Sequence, residues 1–149
     1  MTVYHRILLV VDLTDDSLAI GRKARALAAA MDAEVELLHV VEFVPVEPMG
    51  ETLMPSVQIE EELLERARQR LAALATELGL PGAACRVESG NVKSEIVRAA
   101  RERKADLIVL GSRERHGLSI LVNLTEDTVL HAAPCDVLAM RAGRPRSVE

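Results

Sequence analysis

The chain has 149 residues, 49% hydrophobic and 28% charged, and its only aromatic side chains are Tyr4 and Phe43. Its 18 lysines and arginines face 23 acids, a formal net charge of -5. That balance disfavours a polyanion partner, the lack of aromatics removes any platform for stacking bases, and the ample apolar fraction excludes intrinsic disorder. Nucleic acid is therefore not an expected partner.

In chain order, Ile7–Val11 is a continuous apolar run, the pattern of a strand covered on both faces, and Asp12 ends it. Asp15, Asp16 and Ser17 supply helix-starting chemistry. Over Leu18–Met31, Ala24, Leu27, Ala28 and Met31 recur at helical spacing. Val35–Val41 reads as a second strand. Between Glu42 and Pro55, Pro45, Pro48, Pro55 and Gly50 exclude a regular helix or central strand. From Val57 to Leu78 the stripe Leu64, Ala67, Leu71, Leu74 and Leu78 predicts a helix. Its acidic start (Glu60–Glu62) and basic middle (Arg66, Arg68, Arg70) predict Glu-to-Arg pairs four residues apart. Gly79 and Pro81 stop it.

Ala84–Glu88 is the third predicted strand, followed by a turn at Ser89–Asn91 and a helix over Val92–Lys104. Leu107–Leu110 is the fourth strand, ending at Gly111. A polar, basic stretch from Ser112 to Ser119 precedes a last helix over Leu124–His131, where Asn123 and Glu126 have capping-box spacing. Pro134 breaks it, and Val137–Met140 is the fifth strand. One domain over residues 1–141 and a polar tail over 142–149 account for the chain.

Five strands alternating with four helices imply an α/β fold, a parallel sheet with helices on both faces. Spacing alone does not fix the strand order. With the order 3-2-1-4-5, the reversal lies between the first and fourth strands, and a ligand belongs beyond their carboxyl ends. Asp12 and Gly111 then stand side by side at the mouth. Tyr4 falls at the opposite end.

Cys85 and Cys135 are far apart and in no ligand-spaced motif. With no recognisable export signal, they are expected to stay reduced in the cytoplasm. The apolar runs are too short to span a bilayer, so no membrane partner is expected. A metal at His131 and Cys135 lacks further ligands. A receiver-type acidic site at Asp12, Asp15 and Asp16 would need another Asp after the third strand, where Glu88-Ser89-Gly90 stands. No Walker loop, GxSxG elbow or HExxH pair occurs, so no catalytic residue and no metal ligand is assigned. His39 reads as a half-buried side chain bonded to a neighbour.

Four segments carry a family resemblance: Tyr4–Thr14, Leu37–Val40, Asp106–Arg113 and His131–Leu138. In order and spacing the chain resembles the universal stress protein family from residue 4 to 141. The resemblance implies a single three-layer α/β/α domain with a five-stranded parallel sheet of order 3-2-1-4-5, adenine nucleotide alpha hydrolase-like. It further implies a cytoplasmic homodimer paired through its last strands (about Asp136–Arg141), and an output in stress resistance, exerted on a protein client, rather than a reaction. Many members bind ATP through Gly, two residues, Gly, nine residues, Gly and then Ser or Thr. Here the first glycine is Gly111 and the hydroxyl is Thr125, but Glu114 and Leu124 occupy the other glycine positions. A branched side chain and a negative charge then stand where backbone N–H groups must approach phosphate. The departure resembles the UspA-type branch, whose members dimerise without that motif, so no cofactor is expected. The alternative is a module that keeps ATP or AMP through a modified loop. Its crevice would use Val11, Asp12, Val40, Gly111, Arg113 and Thr125, with Asp12 at the adenosine end.

Overall fold

The computed structural model of the chain describes residues 3–42, 56–112 and 129–142. In order these form β1 (Arg6–Val10), α1 (Ser17–Met31), β2 (Glu34–Val41), α2 (Ser56–Glu77), β3 (Ala84–Ser89), α3 (Val92–Glu102), β4 (Leu107–Ser112) and β5 (Asp136–Arg141). Residues 129–132 are helical as well. The predicted irregular segment up to Pro55, the Asn123–Glu126 cap and the tail lie outside the described residues, apart from Glu42 and Ala142.

All pairings in the sheet are parallel, in the order β3-β2-β1-β4-β5. Two successive steps from β1 to β3 run one way, and the steps to β4 and β5 run the other. Right-handed crossovers therefore put α1 and α2 on one face, and α3 with residues 129–132 on the other. Two aliphatic cores result. Leu9, Leu37 and Val109 pack with Ala24, Ala28, Leu71, Leu74 and Leu78 of α1 and its neighbour. Leu8, Leu38 and Ile108 pack with Ile96, Ala99, Ala100 and Val129.

Most element ends fall within a residue of the predicted ones, and the exceptions have identifiable causes. The α3 helix stops at Glu102, short of Lys104, because Lys104 turns left-handed (φ 53°) and the Ala105 N–H closes back on the Ala100 carbonyl. Strand β4 runs through Gly111 to Ser112 because Met140 and Arg141 of β5 continue its ladder. The α1 start also differs: Asp16 occupies the N-cap but makes no side-chain cap bond. Gly79 (φ 75°) ends α2 as predicted, with the Leu80 N–H bonded to the Ala75 carbonyl. The expected Glu-to-Arg pairs four apart are not what forms along α2; Arg68 pairs with Glu65, three residues away, at 3.4 Å.

The two sheet edges are unlike. Beside β3, Arg86 bonds Glu88 at 2.6 Å and Glu102 at 2.5 Å, and Arg98 reaches Glu88 and Glu95. The Arg86 guanidinium holds the Glu102 carboxyl below its usual range. Strand β5 exposes Leu138 and Ala139 instead.

At the amino ends of the strands, the Asp106 carboxylate accepts from the N–H groups of His5 (2.8 Å) and Arg6 (3.0 Å). Tyr4 donates to Asp136 Oδ2 at 2.8 Å, which fixes it at the end predicted for it. Asp106→Ala leaves two donors to water or to nothing, and is expected to lower stability by about 1–2 kcal/mol. A urea midpoint equal to that of the unsubstituted chain would refute this latching role.

Candidate functional site

The sheet reverses direction between β1 and β4, so the crevice opens at their carboxyl ends. Beyond Val10 the chain makes one more sheet bond, from the Val11 N–H to the Leu38 carbonyl at 2.9 Å. It then turns. Asp12 Oδ1 accepts from the Thr14 N–H (3.1 Å), the Thr14 hydroxyl (2.6 Å) and the buried Ser17 hydroxyl (3.1 Å). The acid that ends the strand thus binds the turn that starts the helix. Between them, buried Leu13 is left-handed, with φ 57°, a conformation uncommon for a side chain of its bulk.

Two side chains from other elements hold this turn. His39 of β2 sits half-buried with Nδ1 2.8 Å from the Val11 carbonyl oxygen. A carbonyl only accepts, so Nδ1 carries the proton, as the sequence reading of His39 as a bonded neighbour anticipates. Arg70 of α2 donates through Nη2 to the Leu13 carbonyl. Arg70 is absent from the sequence-based site. The signal for it is the pair Arg66 and Arg70, four apart and therefore on one helical face, beside the apolar stripe.

The described candidates are distributed unevenly. Val11 and Val40 are 4% and 8% exposed and belong to opposite cores, Val11 with α1 and α2, Val40 with α3. They do not face each other across a cleft. Asp12 lies just beyond β1 and Gly111 within the last residues of neighbouring β4; Leu9 and Val109 are in register, and two residues further along come Val11 and Gly111. A Cβ on Gly111 would stand 2.5 Å from Ile20 Cδ1. The close approach of α1 thus favours a small residue here independently of any ligand, although a turn of the Ile20 terminal methyl would relieve the contact. Arg113 and Thr125, with Glu114 and Leu124, lie outside the described residues.

Among the described residues no group of three or more His, Cys, Asp or Glu side chains could hold a metal ion. No helix among them is long and apolar enough to cross a membrane. Burial raises both thiols, Cys85 and Cys135, above their ordinary range, which keeps them poor nucleophiles.

The family model for the universal stress protein family matches residues 3–141. The chain belongs to that family. Among curated relatives, it is 35% identical to universal stress protein A homolog 2 of Coxiella burnetii, over 95% of this chain and 97% of that one. Among solved structures, the universal stress protein UspA from Lactobacillus plantarum is 28% identical and superposes with a TM-score of 0.68 over 93% of this chain and 98% of that one. A universal stress protein crystallised in complex with cAMP shares the fold at 23% identity, with a TM-score of 0.64 over 94% and 98%. For this family member, the five-stranded sheet and its 3-2-1-4-5 order agree with the expectation drawn from its sequence.

Proposed function

We propose that this universal stress protein acts in the cytoplasm as a non-catalytic homodimer in stress regulation, without tight ATP binding. The carrying observation is the pair Glu114 and Leu124 at two of the three positions where the family's phosphate loop uses glycine. Side chains there keep phosphate oxygens from the backbone N–H groups and add a repelling charge. A regulator of this kind works by association, and β5 supplies the means. Among the described residues it is the last strand of the sheet, paired on one side only, so its outer edge is open to strand addition beside exposed Leu138 and Ala139. Pairing of two such edges supports the dimer, and a protein client completes the proposed partners.

A second reading, a nucleotide-responsive module, draws support from the relative crystallised with cAMP. Calorimetric titration with ATP, AMP and cAMP, with and without magnesium, separates the two. The first reading expects no heat below millimolar ligand; micromolar affinity for any of them overturns it. In sedimentation the full chain is expected to run as a dimer at micromolar concentration, and Ala139→Pro, which places a ring in the edge, is expected to give monomer. A monomer without the substitution refutes the pairing.

A further inference from the structure

Arg6, Glu34 and Ala84 are the first residues of β1, β2 and β3, and they line a cavity of about 240 Å³ at the end of the sheet away from the crevice. Glu36 is the least exposed of its charged lining residues. It stands in register between Leu8 and Ala84, which line the same space. Its Oε1 is buried and, among the described residues, receives no hydrogen bond. Arg103 Nε lies 3.0 Å away, close enough to pair in charge, but its N–H is not aligned to donate. Arg86, two residues beyond Ala84 on the same face, is taken up by Glu88 and Glu102. We infer that this cavity binds a small zwitterion, with its ammonium group on Glu36 and its carboxylate at a rim formed by Arg6 and Arg103.

The inner end of the cavity favours a cation. A buried carboxylate oxygen without a donor is costly, so a guest that brings N–H groups relieves it. Arg103 is the C-cap of α3, and Ala105 beyond it also lines the cavity. The negative end of the helix dipole therefore adds to the preference. The rim has the opposite bias. Arg6, Glu34 and Arg103 are exposed there, two positive charges to one negative. Arg6 donates Nη1 to the Arg103 carbonyl at 3.2 Å, which steadies a guanidinium that has further donors to offer.

Two arginines and two glutamates give the lining no net charge, so it matches neither a bare cation nor a bare anion. A metal ion would face both guanidiniums. A molecule with one ammonium and one carboxylate leaves the filled site neutral. Size points the same way. Drug-sized ligands occupy about 300–1,000 Å³, and this smaller space suits a guest of amino-acid size. The site lies at the opposite end of the strands from Asp12 and Gly111, and it is independent of the function proposed above. Its occupant bridges three strands and the end of α3, so loading stabilises the fold by mass action.

The test uses the full chain, isotope-labelled for amide NMR. Glycine, β-alanine and γ-aminobutyrate are titrated at constant pH and ionic strength, each beside an amine and a carboxylate of matching chain length. At least one zwitterion is expected to shift the amide signals of Glu36, Ala84 and Ala105 and to bind at least tenfold more tightly than either matching half. Glu36→Gln is expected to weaken that zwitterion at least tenfold. Arg103→Met is expected to weaken it about threefold or more and to leave the matching amine no weaker. Glu65→Gln removes the same charge from α2, on the other face of the sheet, and is expected to change affinity less than twofold. Circular dichroism checks the fold of Glu36→Gln; should it unfold, Ala84→Leu, which fills the cavity from an exposed position, carries the result by blocking binding. Silence from all three zwitterions overturns the site. An amine or carboxylate that binds as tightly as its zwitterion overturns the assignment of the guest, and an equal loss in Glu65→Gln would reveal a diffuse charge effect and overturn the site as well.

Discussion

Leu9→Ala is expected to lower unfolding stability by about 3–4 kcal/mol, within the range of buried leucine truncations. Leu9 is fully buried on the central strand, its backbone in register with Leu37 on one side and Val109 on the other. Both neighbours are fully buried too. Strands β2 and β4 hold the backbone around the site from both sides, so the void has little room to collapse and the cavity contribution persists. The whole domain is stabilised by about 5–15 kcal/mol, so the variant is left marginal. Urea denaturation should show a lower midpoint with an unchanged slope. Leu138→Ala on the exposed edge, with Leu138 37% accessible, is the contrast, expected to cost under about 1 kcal/mol within one subunit. Equal effects at the two positions would overturn this account of the core.

Gly21→Ala is expected to destabilise by about 1–2 kcal/mol, against the sign of helix propensity. In an open helix interior the change would gain about 1 kcal/mol. Here the new Cβ would lie 2.7 and 2.9 Å from the two Leu78 methyls and 3.3 Å from Leu78 Cγ. Relief at one methyl brings the other in, and Leu78, 2% exposed, packs in the core that α1 and α2 share. Overpacking costs about 1–3 kcal/mol, which exceeds the propensity gain. The decisive measurement is the double variant with Leu78→Ala. Its total loss should fall short of the sum of the single losses by about 1 kcal/mol or more. Additivity would mean that the helices do not meet at this pair.

The fold was legible because its signals are local or nearly so. The unbroken run around Leu9, the stripe through Leu71 and the punctuation at Gly79 each state an element without help from elsewhere. Strand order needed more than that, since spacing is indifferent to it and the family resemblance supplied it. The site was less legible for a physical reason. Asp12 could be placed at the mouth, but its commitment to Thr14 and Ser17 depends on a left-handed Leu13, which no propensity scale anticipates. Val11 and Val40 were grouped by nearness along their strands, whereas their one-residue difference in strand phase sends them to opposite faces. Arg70 escaped notice because a helical arginine among glutamates reads as a solvated charge until the tertiary fold brings a carbonyl to it.

The unlike edges of the sheet bear on how large this protein can grow. Strand addition is a chain reaction that any open edge can propagate. Here the β3 side presents charged groups already engaged with one another, and a newcomer would have to strip water and partners from Arg86, Glu88 and Arg98 before bonding. On the β5 side the engaged groups, Tyr4 with Asp136 and Lys23 with the Arg141 carbonyl, stand at the two ends of the strand, and Leu138 and Ala139 lie exposed between them. A molecule with one receptive end and one closed end can join a single copy of itself, and the product of that joining has two closed ends. The ion pairs beside β3 are thus expected to act as terminators, limiting the continuous sheet to ten strands where a symmetric molecule would form fibres.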